Sequence, residues 1–168
     1  MATQVLDKRN PATLQDGTLT RDKLISLLNE DLSREYQAII GYVVYSQVLK
    51  GPEYMTVAKE LEAHAHEELQ HALIIAKQID FLGGQPTVTA KPVVTSESAK
   101  VMLQADLDNE NETVAAYRQR VKQCESLGEY AMAEHIRKIL VDEQDHQIDL
   151  ATALGLDLPE ATAASNPR

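Results

Sequence analysis

Four long stretches of the chain repeat apolar residues every three or four positions, and runs containing glycine or proline separate them. This spacing places the apolar residues on one face of an α-helix. The pattern therefore predicts four amphipathic helices. They cover about residues 20–50, 53–81, 96–125 and 129–154. Thr20 is placed to cap the first helix, and Gly51 and Pro52 separate the first helix from the second.

The connection between the second and third helices has a different composition. Residues 83–95 contain two prolines and several β-branched residues, which favour an extended backbone. A segment of this length reaches roughly 43 Å when extended, and a helix of about 28 residues is about 42 Å long. The connection can therefore return the chain along a whole bundle. We predict an all-α four-helix bundle in which two antiparallel hairpins are joined by one long crossover.

One domain accounts for the periodic part of the chain, residues 20–154, and we expect tails at 1–19 and 155–168. The formal charge of −10 argues against nucleic acid as a partner, because phosphates require clusters of Lys and Arg. Cys124 is the only cysteine, and no apolar leader or run of membrane-spanning length is present. We therefore expect a cytoplasmic protein with no membrane partner.

Charged and aromatic residues interrupt the apolar faces in a repeating pattern. The first set is Glu35, Tyr42, Glu68 and His71, and each member recurs 75 residues later as Glu110, Tyr117, Glu143 and His146. The apolar positions around the two sets match as well, since Leu28 and Leu32 recur as Leu103 and Leu107. The repeat predicts two hairpins related by a pseudo-twofold axis.

Four carboxylates on buried helix faces would repel one another unless cations lay between them. Each Glu-x-x-His pair places a carboxylate and an imidazole one turn apart, so that both can reach one ion. Two such pairs with one further glutamate from each remaining helix form a pattern that holds paired iron or manganese ions. The predicted ligands are Glu35, Glu68, His71, Glu110, Glu143 and His146.

Within this set, Glu68 and Glu143 are the candidates to bridge two metals, and Glu35 and Glu110 would each serve one metal. The oxygen-rich set suits iron better than a structural zinc. Tyr42 and Tyr117 could hydrogen-bond ligating carboxylates across the bundle, or could be core aromatics. His64 could be an additional ligand, a residue on the entry path, or a buried polar group with a partner of its own.

These residues resemble the ligand segments of the bacterioferritin branch of the ferritin-like superfamily. The matching segments are REYQAIIGY (34–42), EELQH (67–71), DLDNE (106–110) and DEQDH (142–146). The resemblance covers about residues 20–154 and implies a ferritin-like four-helix bundle. It also implies that the six predicted ligands form a di-iron ferroxidase centre in each subunit. Such a centre oxidises Fe(II) with O2 or H2O2, and a homo-oligomeric cage stores the ferric product.

Two features depart from the bacterioferritin pattern. The haem-ligating methionine of that family would directly follow Glu68, and this chain has Leu69 there, which argues against haem. The family's short fifth helix would begin beyond residue 154, where Gly155 and Pro159 leave little sequence. A twelve-subunit cage of the Dps-like type is therefore an alternative to a 24-subunit cage.

Three functions remain open at this point. The leading one is a ferroxidase that stores and detoxifies iron. The second is a Dps-like protein whose main role is iron sequestration or protection against peroxide. The third is a non-catalytic scaffold that holds zinc or manganese.

Overall fold

The computed structural model describes residues 19–157, which form four α-helices and one short 3-10 helix. The α-helices are α1 (Arg21–Val48), α2 (Met55–Phe81), α3 (Ala99–Ser126) and α4 (Tyr130–Leu154). The predicted all-α four-helix architecture is confirmed. Most of the predicted tails, 1–19 and 155–168, lies outside the described residues. Within the described residues, no helix is both long enough and apolar enough to cross a membrane.

Local signals in the sequence set most of the helix ends. The Thr20 side chain accepts a hydrogen bond from the Lys23 amide at 3.1 Å and caps α1 as predicted. Pro52 begins the 3-10 helix Pro52–Tyr54, so α2 starts two residues later than expected. Helix α3 begins three residues later than predicted, because Ser98 caps it. The Ser98 hydroxyl accepts a hydrogen bond from the Val101 amide.

The extended crossover between α2 and α3 lies along α1. Asn29 donates to the Gln85 carbonyl at 3.1 Å and accepts from the Thr87 amide at 2.7 Å. Further along, Lys91 donates its amide to the Ser33 carbonyl at 3.1 Å, and the Tyr45 hydroxyl donates to the Val94 carbonyl. These contacts progress in the direction of α1, so the crossover returns the chain to the other end of the bundle.

The helices pack as the hairpins α1–α2 and α3–α4, with α1 against α3 and α2 against α4. Two apolar cores fill the bundle. One contains Leu28, Leu32 and Ile136, and the other contains Leu61, Leu103 and Leu150. The predicted ligand positions of all four helices fall between the two cores. The fold therefore holds a polar layer between two apolar ends.

Candidate metal centre

The six predicted ligand side chains meet in the polar layer at the middle of the bundle. Helix α1 supplies one glutamate, α3 supplies another, and α2 and α4 each supply a glutamate with a histidine one turn later. The side chains are almost inaccessible to solvent, with no residue more than 3% exposed. They are Glu35, Glu68, His71, Glu110, Glu143 and His146. The intervals of three and four residues along each helix place all of them on buried faces.

His71 is the centre of the first of two clusters. Its Nδ1 lies 3.4 Å from Glu35 Oε2, 3.4 Å from Glu68 Oε2 and 3.3 Å from Glu143 Oε1. A ligand-type atom of each of these four residues lies within 4.8 Å of the others. Three carboxylates and one imidazole from three helices therefore surround a single point.

His146 organises the second cluster in the same way. Its Nδ1 lies 2.9 Å from Glu68 Oε1, 3.6 Å from Glu143 Oε2 and 4.0 Å from Glu110 Oε1. These four residues also have ligand-type atoms within 4.8 Å of one another. The second cluster is the pseudo-twofold counterpart of the first.

Glu68 and Glu143 belong to both clusters. Glu68 directs Oε2 to His71 and Oε1 to His146, whereas Glu143 directs Oε1 to His71 and Oε2 to His146. Each carboxylate therefore offers one oxygen to each cluster. This is the arrangement expected of bridging ligands between two cations.

Burial and mutual repulsion determine where protons reside in this layer. Burial, followed by the charge of Glu35, raises the pKa of Glu68 to about 8. Burial and the charge of Glu143 raise the pKa of Glu110 well above its ordinary value.

The histidines shift towards the protonated form. Burial alone would lower the pKa of His146, but the adjacent carboxylates of Glu143 and Glu68 outweigh it and raise the pKa to about 12. The pKa of His71 is raised for the same reason, with burial opposed by the adjacent carboxylates of Glu143 and Glu35. The metal-free layer is therefore expected to balance its carboxylates with protons.

Several polar atoms in the layer have no hydrogen bond of good geometry. They are Glu35 Oε2, Glu68 Oε1, both carboxylate oxygens of Glu143, and His146 Nδ1. A buried polar atom without a partner costs about 1–3 kcal/mol, and more when it is charged. Two divalent cations would use these atoms as ligands and would displace the bound protons. The residues present therefore fit a pair of cations that accept oxygen and imidazole ligands.

Tyr42 and Tyr117 each hydrogen-bond a predicted ligand on a different helix. The Tyr42 hydroxyl donates to Glu110 Oε1, and the Tyr117 hydroxyl donates to Glu35 Oε1. Both rings are fully buried. Each hydrogen bond links α1 to α3. Each also holds one oxygen of a glutamate, Glu110 or Glu35, that takes part in only one of the two clusters.

Two acidic residues have a contact that sequence reasoning did not identify. Asp142 Oδ2 lies 3.1 Å from His71 Nε2, and Glu67 Oε2 lies 2.9 Å from His146 Nε2. Each carboxylate can accept a hydrogen bond from the Nε2–H of its histidine, which leaves Nδ1 directed at the cluster. The signal was visible in the sequence, because Glu67 and Asp142 also recur 75 residues apart beside the ligands.

His64 is buried outside both clusters, one turn before Glu68. Its ring centroid lies 4.1 Å from that of His146 and 5.3 Å from that of Tyr42. His64 Nε2 lies 3.3 Å from Asp149 Oδ2, and Nδ1 has no hydrogen-bond partner. Burial and the neighbouring His146 lower the pKa of His64 to about 4, so its imidazole is neutral near pH 7.

Comparisons with known proteins agree with this geometry. The family described as "Ferritin-like domain" matches residues 25–157. A bacterioferritin from Desulfovibrio desulfuricans is 33% identical over 125 residues, which cover 74% of this chain and 70% of that protein. A bacterioferritin from Brucella melitensis is 30% identical over 140 residues, covering 79% and 87%.

A solved structure is similar over most of its length. It is described as belonging to ferritin-like, diiron-carboxylate proteins from Bacillus anthracis. It superposes with a TM-score of 0.77 at 31% sequence identity and covers 80% of this chain and 96% of the other.

Proposed function

The chain belongs to the ferritin-like family, with bacterioferritins among its relatives, and we propose that it is a ferroxidase that oxidises Fe(II) at an intrasubunit di-iron centre. One observation carries this proposal. Glu68 and Glu143 each give one oxygen to the cluster around His71 and the other to the cluster around His146. Each cluster also has one glutamate that the other lacks, which is Glu35 beside His71 and Glu110 beside His146.

Fe(II) is the substrate in this proposal, and two ions would supply one electron each to O2 or H2O2. The chain's own residues bind and orient them. One ion would be bound by Glu35 and His71, and the other by Glu110 and His146. Oxygen and imidazole ligands accept both Fe(II) and Fe(III), so the same side chains can hold substrate and product.

The residues around the ligands orient the two histidines, and cation binding changes the protonation of the layer. Asp142 and Glu67 hold the Nε2–H of His71 and His146, which keeps each Nδ1 free as a ligand. Binding two cations releases the protons that the histidines and Glu68 carry without metal. The affinity for Fe(II) should therefore fall as the pH falls.

Replacing a bridging residue tests the proposal directly. Glu68→Ala removes a ligand from both clusters, so we expect the initial rate of Fe(II) oxidation to fall by about 100-fold or more. The matched control is Glu112→Ala, an exposed glutamate on α3. Oxidation is followed by absorbance, and circular dichroism verifies the helical content of both variants.

Wild-type oxidation by a helical Glu68→Ala protein would contradict the proposal. Metal analysis of protein purified without added metal separates an iron protein from a zinc or manganese scaffold. Comparing O2 with H2O2 as oxidant then tests for a Dps-like role in peroxide protection.

We also infer that the protein assembles into a homo-oligomeric cage. The α1–α2 hairpin exposes large apolar side chains that its own fold does not cover. Ile40 and Val43 on α1 are 44% and 51% exposed, and Leu69 and Leu73 on α2 are 46% and 56% exposed. The bond from Gln47 to Glu62 at 2.9 Å sets the antiparallel register and places Ile40 and Leu69 at about the same level.

Exposed apolar patches of this kind mark interfaces between proteins. Native mass spectrometry of the purified protein tests for a cage and distinguishes twelve from 24 subunits. A monomer at micromolar concentration would contradict the inference.

A further inference from the structure

A second group of metal-ligand side chains lies outside the paired clusters, in the groove between α2 and α4. Glu60, His64 and Asp149 have ligand-type atoms within 4.8 Å of one another, and so do His64, Glu67 and His146. His64 belongs to both of these groups. The groove forms a cavity of about 130 Å³ that is otherwise lined mainly by carboxylates.

His64 distinguishes this groove from an ordinary acidic surface. The residue is only 4% exposed, and its Nδ1 has no hydrogen-bond partner. Its Nε2 faces Asp149 Oδ2 at 3.3 Å, and the Asp149 side chain is 47% exposed. A buried imidazole whose Nε2 faces a carboxylate open to solvent, with a second carboxylate within reach, is an incomplete ligand set for a cation.

Packing alone does not require a histidine at this position. The equivalent residue in the other hairpin is Ile139, which is 1% exposed and lies in the apolar core. A histidine in place of an apolar residue introduces a buried polar atom at a cost of about 1–3 kcal/mol unless it finds a partner. The groove carboxylates near His64 give that histidine a use that Ile139 does not have.

The groove adjoins the paired site through one residue. His146 directs Nδ1 towards Glu68 inside the bundle and Nε2 towards Glu67, whose side chain is 50% exposed. The His64 and His146 rings are 4.1 Å apart, centre to centre. A cation held in the groove would therefore lie next to the cluster that contains His146.

We propose that Glu60, His64 and Asp149 form a third divalent-cation site in the groove, with Glu67 at its inner edge. One imidazole with carboxylates selects a divalent transition metal such as Fe(II), Mn(II) or Co(II) over Mg²⁺, which prefers oxygen alone. The negative groove raises the local concentration of cations. This inference goes beyond the proposed function, because the site binds a cation whether or not the paired site oxidises one.

Equilibrium dialysis against Co(II) alone, followed by metal analysis, tests the proposal. Co(II) accepts the same ligands as Fe(II) and avoids the oxidation chemistry. The wild type should bind about three Co(II) per chain and His64→Ile about two, because isoleucine occupies the equivalent position in the other hairpin. The matched control is His66→Ala, an exposed histidine on α2 that should leave the number unchanged.

Asp149→Asn provides a second variant, at an exposed side chain whose replacement should not disturb the core. It should lower the affinity for the groove Co(II) by at least about 10-fold. Glu68→Ala should instead lose the paired ions and keep the groove ion. A wild type that binds two Co(II), or His64→Ile and Asp149→Asn proteins that bind Co(II) as the wild type does, would overturn the groove site. Neither result bears on the oxidation assay.

Discussion

The two hairpins are equivalent at the paired clusters but differ one helical turn away from them. Asp31 on α1 and Asp106 on α3 occupy equivalent positions, one turn before Glu35 and Glu110, and both are buried. Arg120 donates to Asp31 from Nε at 2.6 Å and from Nη2 at 3.1 Å. Asp106 Oδ2 has no partner.

The cause is the residue that faces each aspartate from the neighbouring helix. Arg120 occupies the position equivalent to Tyr45, whose hydroxyl is already bonded to the Val94 carbonyl of the crossover. Gly41 leaves room for the unpaired carboxylate, since a Cβ there would lie 3.1 Å from Asp106 Oδ1. The repeat is thus kept at the two clusters, which share Glu68 and Glu143, and is lost where the crossover makes the two halves different.

Removing the guanidinium should have the largest effect on this comparison. Burial raises the pKa of Asp31, and the charge of Arg120 opposes that rise. Arg120→Met would remove two hydrogen bonds from Asp31 and leave it with Arg34, which also donates to its Oδ1. We therefore expect a loss of about 3 kcal/mol in the free energy of unfolding, at the low end for breaking a buried pair. Denaturant unfolding at pH 7 measures the change.

The exposed Lys122 lies on the same helix and supplies a control, because Lys122→Met should cost no more than about 0.5 kcal/mol. Replacing both partners in an Asp31→Asn, Arg120→Met protein should recover much of the loss. A single Arg120→Met variant as stable as the wild type would show that the Asp31–Arg120 pair does not stabilise the fold.

The sequence predicts those parts of the site that depend on the spacing of residues within a single helix. The period of 3.6 residues decides that Glu68 and His71 share a face, and the repeat decides that Glu143 and His146 do the same. The long crossover followed from the composition of residues 83–95. Each of these conclusions needs only the spacing of residues along the chain.

Contacts between helices were beyond that reasoning. The Asp31–Arg120 pair depends on how far α3 is shifted along α1, and no pattern within either helix records that shift. The repeat even conceals it, because Arg120 is equivalent to Tyr45. Asp142 and Glu67 recur 75 residues apart, but their contacts with His71 and His146 cross from one hairpin to the other.

The carboxylates behind the histidines should give an intermediate effect and test whether the clusters are equivalent. Asp142→Asn should weaken cation binding at the His71 cluster by about 10- to 100-fold, because a neutral amide oxygen accepts a weaker hydrogen bond from Nε2–H than a carboxylate does. Glu67→Gln should do the same at the His146 cluster. Competition titrations with Co(II) measure both, with Glu112→Gln as the exposed control.

Both residues line the groove, but only Glu67 has a ligand-type atom grouped with those of His64 and His146. Glu67→Gln should therefore weaken binding of the third cation more than Asp142→Asn does. If Glu67→Gln and Asp142→Asn lowered the affinity for every cation equally, the two clusters would not differ in their link to the groove. An unchanged affinity in Asp142→Asn would show that its contact with His71 does not tune the ligand.

The smallest expected effect is a pH dependence caused by Asp106 alone. Burial, followed by the charge of Glu110, raises the pKa of Asp106 to about 8, whereas an unfolded aspartate titrates near about 4. Folding therefore takes up a proton between these values, so the contribution of Asp106 is complete below about pH 4 and is lost as the pH rises towards 8. Asp106→Asn remains neutral throughout. Its stability relative to the wild type should increase by about 1–2 kcal/mol between pH 5.5 and 7.0, measured by denaturant unfolding. A difference that does not change with pH would mean that Asp106 stays ionised in the fold and has a partner equivalent to Arg120.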